Sequence, residues 1–80
     1  MSQAKKIVLY TTTYCGFCHR AKQLLDKKKL SYEEIDVTVP EAKEEAMRKY
    51  DWHTVPIVVV EGELIGGCRE LDSMLRKGDL

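Results

Sequence analysis

The chain carries no net charge and no long apolar run. Its 13 Lys and Arg residues balance 13 Asp and Glu residues, so no overall field attracts nucleic acid or an anionic membrane. Nothing approaches the roughly 18 apolar residues that a membrane span needs. The apolar segment of a secretory signal does not follow the polar start MSQAKK either. We therefore expect a cytoplasmic protein with neither a nucleic-acid partner nor a membrane partner.

Cysteine is also scarce. Three cysteines are too few, and odd in number, for a disulfide scaffold, and a reducing compartment disfavours structural disulfides. No internal repeat, low-complexity tract or linker divides the chain, and its 44% apolar and 32% charged residues are typical of globular proteins. We expect a single domain over residues 1–80 with a thin core, because so short a chain buries only about 60% of the surface it exposes when unfolded.

What the sequence does contain is an alternation of strand and helix patterns. The order β-α-β-α-β-β-α opens with a right-handed parallel crossover and closes with an antiparallel hairpin, which predicts an α/β fold: a mixed four-stranded sheet flanked by helices. The apolar face of the first helix is predicted to comprise Phe17, Ala21, Leu24 and Leu25. The predicted elements are a strand over 7–10, a helix over 16–29, a strand over 32–37, a helix with Pro40 in its first turn, strands over 57–60 and 63–65 joined by Glu61-Gly62, and a helix over 68–77.

Two cysteines separated by two residues lie in the stretch TYCGFCHRAK. Cys15 falls where a buried strand gives way to a helix, and there free N–H groups and the helix dipole stabilise a thiolate. We expect the amides of Phe17 and Cys18 to donate to its sulfur. Cys18, one turn further into the helix, is predicted to be more buried and less nucleophilic. The pair suits thiol–disulfide exchange, in which Cys15 attacks a disulfide and Cys18 or an outside thiol resolves the product.

Two other uses of a CxxC motif fit the chain less well. A structural zinc site usually needs four ligands, and Cys68, His19 and His53 do not supply a second pair at a suitable spacing. The stretch CGFCH matches a covalent haem-attachment motif, but that chemistry belongs to exported proteins, and the runs IVLY and IVVV indicate a sheet. His19 is better interpreted as a residue on the helix surface.

Two further stretches suggest contacts to a ligand. Pro56 in Thr54-Val55-Pro56 either simply begins the third strand or forms a cis bend, in which case the Val55 backbone would pair with an extended, peptide-like ligand. The stretch Gly66-Gly67-Cys68 either leaves open amides for a carboxylate at the start of a helix or is an ordinary strand-to-helix turn.

Four motifs in order, VLYTTTYC, CGFCHRAK, TVP and GGC, resemble the glutaredoxin family over almost all 80 residues. The chain is most similar to the small bacterial dithiol glutaredoxins. This resemblance implies a thioredoxin fold with Pro56 in the cis form, and glutathione as a co-substrate held as a mixed disulfide on Cys15.

The resemblance also implies a glutathione site. In it Tyr14 and Phe17 flank the sulfur, and the Val55 backbone pairs with the cysteinyl part. The amides of Gly67 and Cys68 would receive the γ-glutamyl carboxylate, and Arg48 or Lys49 would meet the glycyl carboxylate. The full set of implied glutathione-binding residues is Tyr14, Phe17, Arg48, Thr54, Val55, Pro56, Gly67, Cys68 and Glu70.

The chain departs from the family pattern at several positions. The usual C-P-Y-C is here C-G-F-C, which shares Gly16 and Phe17 with the C-G-F-S site of the monothiol class. Thr12 stands where a lysine is common. Arg69 stands where an aspartate would bind the glutathione amine, and Glu70 is the residue that can substitute for that aspartate.

These observations predict a glutathione-dependent thiol–disulfide oxidoreductase, monomeric, acting through Cys15 with Cys18 as resolving thiol. Its substrates would be glutathionylated proteins and low-molecular-weight or protein disulfides. The alternative is a carrier of a [2Fe–2S] cluster, in which a dimer holds the cluster through Cys15 and two glutathione thiols. No other metal ligand is predicted. The retained Cys18 argues against the carrier, because an internal disulfide competes for Cys15.

Overall fold

Seven elements follow one another in the predicted order. They are described by a computed structural model that covers residues 5–78. No helix in that part of the chain is long and apolar enough to cross a membrane. The elements are β1 (Ile7–Thr11), α1 (Gly16–Lys27), β2 (Glu33–Asp36), α2 (Pro40–Tyr50), β3 (Ile57–Val60), β4 (Glu63–Gly66) and α3 (Cys68–Lys77).

The four strands form one mixed sheet in the order β2-β1-β3-β4. Strand β1 pairs in parallel with β2, because α1 carries the chain back across the sheet between them. It pairs antiparallel with β3, which in turn pairs antiparallel with β4. At the β3–β4 turn, Glu61 and Gly62 have φ of 54° and 79°, the two positive values of a type I′ hairpin. The predicted mixed sheet is confirmed.

Helices cover both faces of this sheet. On one face α1 and α3 pack against β1 and β3 through a buried cluster that includes Leu9, Leu25 and Leu71. On the other face α2 contributes Ala46 to a second cluster with Ile57 and Val59 of β3. Strand β3 is buried along its whole length, which explains its four consecutive β-branched residues.

Several predicted details are wrong. Helix α1 ends at Lys27 rather than at residue 29, because Lys28 caps it and Lys29 has a left-handed φ of 58°. Strands β1 and β4 each extend one residue further than predicted, and β2 is two residues shorter. The sequence predicts Phe17 on the buried face of α1, but its side chain is 68% exposed. Cys18 takes that buried place, together with Ala21 and Leu25.

Candidate active site

Cys15 is the N-cap of α1. Its backbone is extended, with φ −102° and ψ 116°, and its Sγ accepts a hydrogen bond from the Cys18 amide over 3.3 Å. Because the end of β1 is fixed in the sheet and Thr11 and Thr12 are buried, the loop that carries Cys15 starts from a rigid point. Of the two predicted amide donors, Cys18 is confirmed, whereas among the described residues the Phe17 amide makes no such bond.

The Val55-Pro56 turn lies on the other side of the Cys15 sulfur. The Val55–Pro56 peptide bond is cis, which settles the choice that the residues alone left open. The Cys15 thiol donates to the carbonyl oxygen of Val55 over 3.5 Å. Cys15 itself is half-buried, so an incoming sulfur atom can approach it. The CxxC motif and the TVP motif therefore meet at one sulfur atom.

Cys18 contrasts with Cys15 in its surroundings. Its side chain is 1% exposed, and burial raises the pKa of the Cys18 thiol to about 12, an effect that the neighbouring Cys15 reinforces and that Thr12 opposes. Cys68 is also buried, and burial raises the pKa of its thiol as well. All three cysteines are free thiols. The prediction that Cys18 is the more buried of the pair is confirmed.

Two aromatic side chains project from the active-site loop. Tyr14 and Phe17 are 66% and 68% exposed, and with Val39 they are the large hydrophobic residues that the described part of the chain leaves exposed. The ammonium group of Lys43 lies 5.8 Å from the centroid of the Tyr14 ring, within range of a cation–π contact. The rings stand on either side of Cys15 in the sequence, and they offer an apolar rim to a bound molecule.

A polar cleft of about 290 Å³ opens beside Cys15, and the sequence analysis missed it. Across it Lys22 pairs with Glu34 over 3.0 Å, and the Thr11 hydroxyl donates to the same carboxylate over 2.6 Å. These bonds, first that of Thr11 and then that of Lys22, hold the pKa of Glu34 below its ordinary value. The other lining residues are Thr12, Thr13, Cys15, His19 and Asp36. His19 is exposed on α1, as predicted.

The start of α3 approaches the Val55-Pro56 turn at Gly67. A Cβ atom added to Gly67 would lie 3.6 Å from the Pro56 carbonyl oxygen and 3.9 Å from Nε1 of Trp52. The Gly67 amide already donates to Glu70 Oε1 over 2.8 Å. A ligand carboxylate that used the Gly67 amide would have to displace this contact, which leaves the Cys68 amide as the simpler donor. Sequence reasoning also missed Trp52, whose buried Nε1 has no hydrogen-bond partner within residues 5–78.

Arg48 is not brought to Cys15. Its guanidinium pairs with Glu44 over 2.9 Å on the surface of α2. It lines a separate groove of about 300 Å³ with Trp52 and His53, and Cys15 does not line that groove. The neighbouring Lys49 lies 5.3 Å from the ring centroid of Tyr50. Thr54 is exposed beside Val55, at the mouth of the site.

Comparison with known proteins agrees with this geometry. The family model described as glutaredoxin matches residues 7–65. The chain is 40% identical over 75 residues to a glutaredoxin of Pseudomonas aeruginosa, covering 92% of this chain and 89% of that one.

Two solved structures superimpose closely on the fold. Glutaredoxin 1 from Francisella tularensis, complexed with cacodylate, has a TM-score of 0.84 at 24% identity, over 92% of this chain and 95% of that one. The buckwheat glutaredoxin–glutathione complex has a TM-score of 0.82 at 30% identity, over 96% and 74% of the two chains. The thioredoxin fold is thus confirmed, and the chain belongs to the glutaredoxin family.

Proposed function

We propose that this chain is a glutathione-dependent thiol–disulfide oxidoreductase that works as a monomeric single domain in the cytoplasm. The observation that carries the proposal is the pair of unequal thiols at the start of α1. Cys15 is accessible and its sulfur already accepts a backbone N–H, while Cys18 is 1% exposed directly behind it. An accessible thiol stabilised at a helix N-terminus is the arrangement that favours attack on a disulfide.

The first route would remove glutathione from a glutathionylated protein. The Cys15 thiolate attacks the glutathione sulfur, a Cys15–glutathione disulfide forms, and the protein sulfur leaves as a thiolate that takes a proton from water. A second glutathione, as thiolate, then attacks the bound glutathione sulfur. Oxidised glutathione departs, and the Cys18 amide again stabilises the Cys15 thiolate. Cys18 does not react in this route.

The second route would reduce protein disulfides and needs both thiols. Cys15 attacks one sulfur of the substrate and forms a mixed disulfide, releasing the other sulfur as a thiolate. Cys18 then loses its proton and attacks the Cys15 sulfur, so that the substrate leaves reduced and a Cys15–Cys18 disulfide remains. Two glutathione molecules reduce this disulfide and leave as oxidised glutathione.

Glutathione binding is supported by the turn and helix start that surround Cys15. Tyr14 and Phe17 would pack on the glutathione sulfur, and the backbone beside Thr54, Val55 and Pro56 would pair with its cysteinyl part. The Cys68 amide, with Gly67, would meet the γ-glutamyl carboxylate, since the N-terminus of a helix favours an anion. The structural relative from buckwheat is described as a complex with glutathione.

Two contacts of the ligand's ends complete the proposal. Glu70 would meet the glutathione amine through the carboxylate oxygen that Gly67 does not use. Arg48 would reach the glycyl carboxylate only by leaving Glu44, an exchange of one exposed ion pair for another.

The test is a pair of steady-state assays with glutathione as the only reductant. One follows release of glutathione from a glutathionylated peptide, and the other follows reduction of a protein disulfide. We expect both activities in the wild-type protein, loss of both in Cys15→Ser, and loss of only the second in Cys18→Ser. Equal loss of both activities in Cys18→Ser would refute the two routes, and activity retained by Cys15→Ser would refute the proposal as a whole.

The cluster-carrier alternative has one observation in its favour. A Cβ atom at Gly16 would meet no atom within 4 Å beyond its chain neighbours, so the loop is open to a second copy of the chain at this position. The residues fit such a group only in part. Within residues 5–78 no three His, Cys, Asp or Glu side chains are grouped to hold a metal, so Cys15 would be the one ligand from each chain and glutathione thiols would supply the rest.

This alternative has its own test. The protein is reconstituted without oxygen from iron, sulfide and glutathione, and gel filtration with absorbance detection follows. A carrier gives a coloured dimer, strengthened in Cys18→Ser, which lacks the competing thiol, and weakened in Gly16→Pro, which stiffens the loop. Colourless monomers in all three proteins would eliminate the carrier.

A further inference from the structure

Thr12 buries a hydroxyl group that the fold does not use. Its side chain is 5% exposed, and Oγ1 has no hydrogen-bond partner within the described part of the chain. The preceding residue differs, because the Thr11 hydroxyl is bonded to Glu34. Buried polar atoms in folded proteins are nearly always paired, so an unpaired one needs an explanation.

Thr12 lies in the neighbourhood of Cys18, because it lines the same cleft as Cys15, and the Cys15 sulfur lies 3.3 Å from the Cys18 amide nitrogen. Both the side chain and the backbone of Thr12 lower the pKa of the Cys18 thiol, against the larger effect of burial. Cys18 is 1% exposed, so water does not solvate a negative charge on its sulfur. A thiolate formed there depends on donors supplied by the protein.

The other titratable groups near Cys18 do not supply this donor. Cys15, on the same turn, raises the pKa of Cys18 rather than lowering it. The charge of Cys18 raises the pKa of Lys22 only as the smallest of several causes. The ammonium group of Lys22 is hydrogen-bonded to Glu34 over 3.0 Å. Thr12, directly after β1, lowers the pKa of Cys18 through its side chain, and its hydroxyl has no hydrogen-bond partner among the described residues.

We propose that the Thr12 hydroxyl is the hydrogen-bond donor to the Cys18 thiolate each time the Cys15–Cys18 disulfide is made or broken. The inference rests on the proposed function, because only the two-thiol route turns Cys18 into a thiolate. When a glutathione thiolate attacks the Cys15 sulfur, a new disulfide bond forms and the Cys15–Cys18 bond breaks. Its electron pair passes to Cys18 Sγ, which accepts the Thr12 O–H until it takes up the proton that glutathione released.

The role is kinetic. Burial raises the pKa of the Cys18 thiol to about 12, so this thiol is protonated in the resting reduced protein at neutral pH, and the Cys18 thiolate appears only along the path. Loss of the hydroxyl therefore slows formation and cleavage of the internal disulfide, and leaves its reduction potential nearly constant. A defect in folding or in glutathione binding would not give this combination.

The experiment compares Thr12→Val, which removes the hydroxyl at nearly constant shape, with Thr12→Ser, which keeps it. Thr13→Val is the matched control, since Thr13 is an exposed threonine next along the chain. For each protein we measure the ratio of protein-disulfide reduction to deglutathionylation, the single-turnover rate at which glutathione reduces the internal disulfide, and the reduction potential.

In Thr12→Val we expect the ratio and the single-turnover rate to fall roughly tenfold, the effect of one hydrogen bond to a charged group. Thr12→Ser and Thr13→Val should stay near the wild type. A wild-type ratio in Thr12→Val, or an equal fall in Thr12→Ser, would overturn the role of Thr12.

If Thr12→Val does not fold, Thr12→Ala replaces it with the same expectation. A wild-type protein that reduces no protein disulfide overturns the proposed function itself, and the role of Thr12 with it.

Discussion

The Cys15 sulfur and the Cys18 amide are joined by a hydrogen bond of 3.3 Å. The same residue therefore gives Cys15 a donor from its backbone and a second thiol from its side chain. The backbone contact follows from the geometry of the helix start, where Cys15 is the N-cap. The side chain is buried on the inner face of α1, as are those of Ala21 and Leu25, so its thiol is shielded from other molecules.

Selective alkylation follows from this arrangement. At pH 7 we expect iodoacetamide to modify Cys15 at least roughly a hundredfold faster than Cys18 or Cys68, because both other thiols are buried and burial raises their pKa values. Mass spectrometry of digests taken over time measures the three rates. In denaturant the rates should converge, and rapid labelling of Cys18 in the folded protein would contradict the assignment.

The Cys18 thiol should make the free energy of unfolding depend on pH in the alkaline range. Its pKa in the folded protein, about 12, lies above the value of about 8.5 expected in the unfolded chain. The folded state thus binds more protons between these values, and stability falls as pH rises through this range. Urea unfolding between pH 8 and pH 10 should show a shallower loss in Cys18→Ala than in the wild type. Cys15→Ala is the control, and an identical slope in wild type and Cys18→Ala would be inconsistent with a buried thiol.

Two glycines should respond in opposite ways to the same substitution. Gly66 has φ +136°, and an added Cβ would lie 2.7 Å from Cγ of Glu70. Gly66→Ala should lower the free energy of unfolding by about 1–3 kcal/mol. Gly16, in the first turn of α1, has open space around it, and Gly16→Ala should be neutral or stabilise by up to about 1 kcal/mol. Chemical denaturation measures both values, and an unchanged free energy of unfolding in Gly66→Ala would show that the strand-to-helix turn is not constrained.

Glu70 can be tested without removing the helix cap. Glutamine at this position still accepts the Gly67 N–H, so Glu70→Gln should change stability by less than about 0.5 kcal/mol. It removes the negative charge proposed to meet the glutathione amine, and should raise the KM for a glutathionylated peptide several-fold with little change in kcat. A lower KM would instead mean that the carboxylate repels the ligand, as expected if it occupies the place of the γ-glutamyl carboxylate.

Much of the fold was predictable because its signals are local. The run Ile57–Val60 predicted a strand buried on both faces, and Glu61-Gly62 predicted the hairpin turn. The orientation of α1 was not predictable in the same way. The sets Phe17, Ala21, Leu24 and Cys18, Ala21, Leu25 both have helical spacing, and hydrophobicity alone favours the phenylalanine. The position of the N-cap decided between them, because it turns Cys18 inward and leaves Phe17 in solvent.

The residues of the candidate site also differ in whether local sequence signals predict them. The cysteine pair could be found from its spacing, and the cis form of Pro56 only from the family resemblance. The hydrogen bond from Thr11 to Glu34 depends on the parallel register of β1 and β2, which brings residues far apart in sequence to one edge of the sheet. Thr12 Oγ1 and Trp52 Nε1 are buried without a partner among the described residues. Their burial depends on packing from several elements, which the hydrophobic periodicity of the sequence does not predict.

The most direct test of the account asks which sulfur carries glutathione. Cys18→Ser, which cannot form the internal disulfide, is incubated with oxidised glutathione, digested without reductant and examined by tandem mass spectrometry. We predict one glutathione per chain, attached to Cys15 and released by added glutathione. Glutathione found on Cys68, or no adduct under conditions that fully react a small-molecule thiol, would contradict Cys15 as the nucleophile.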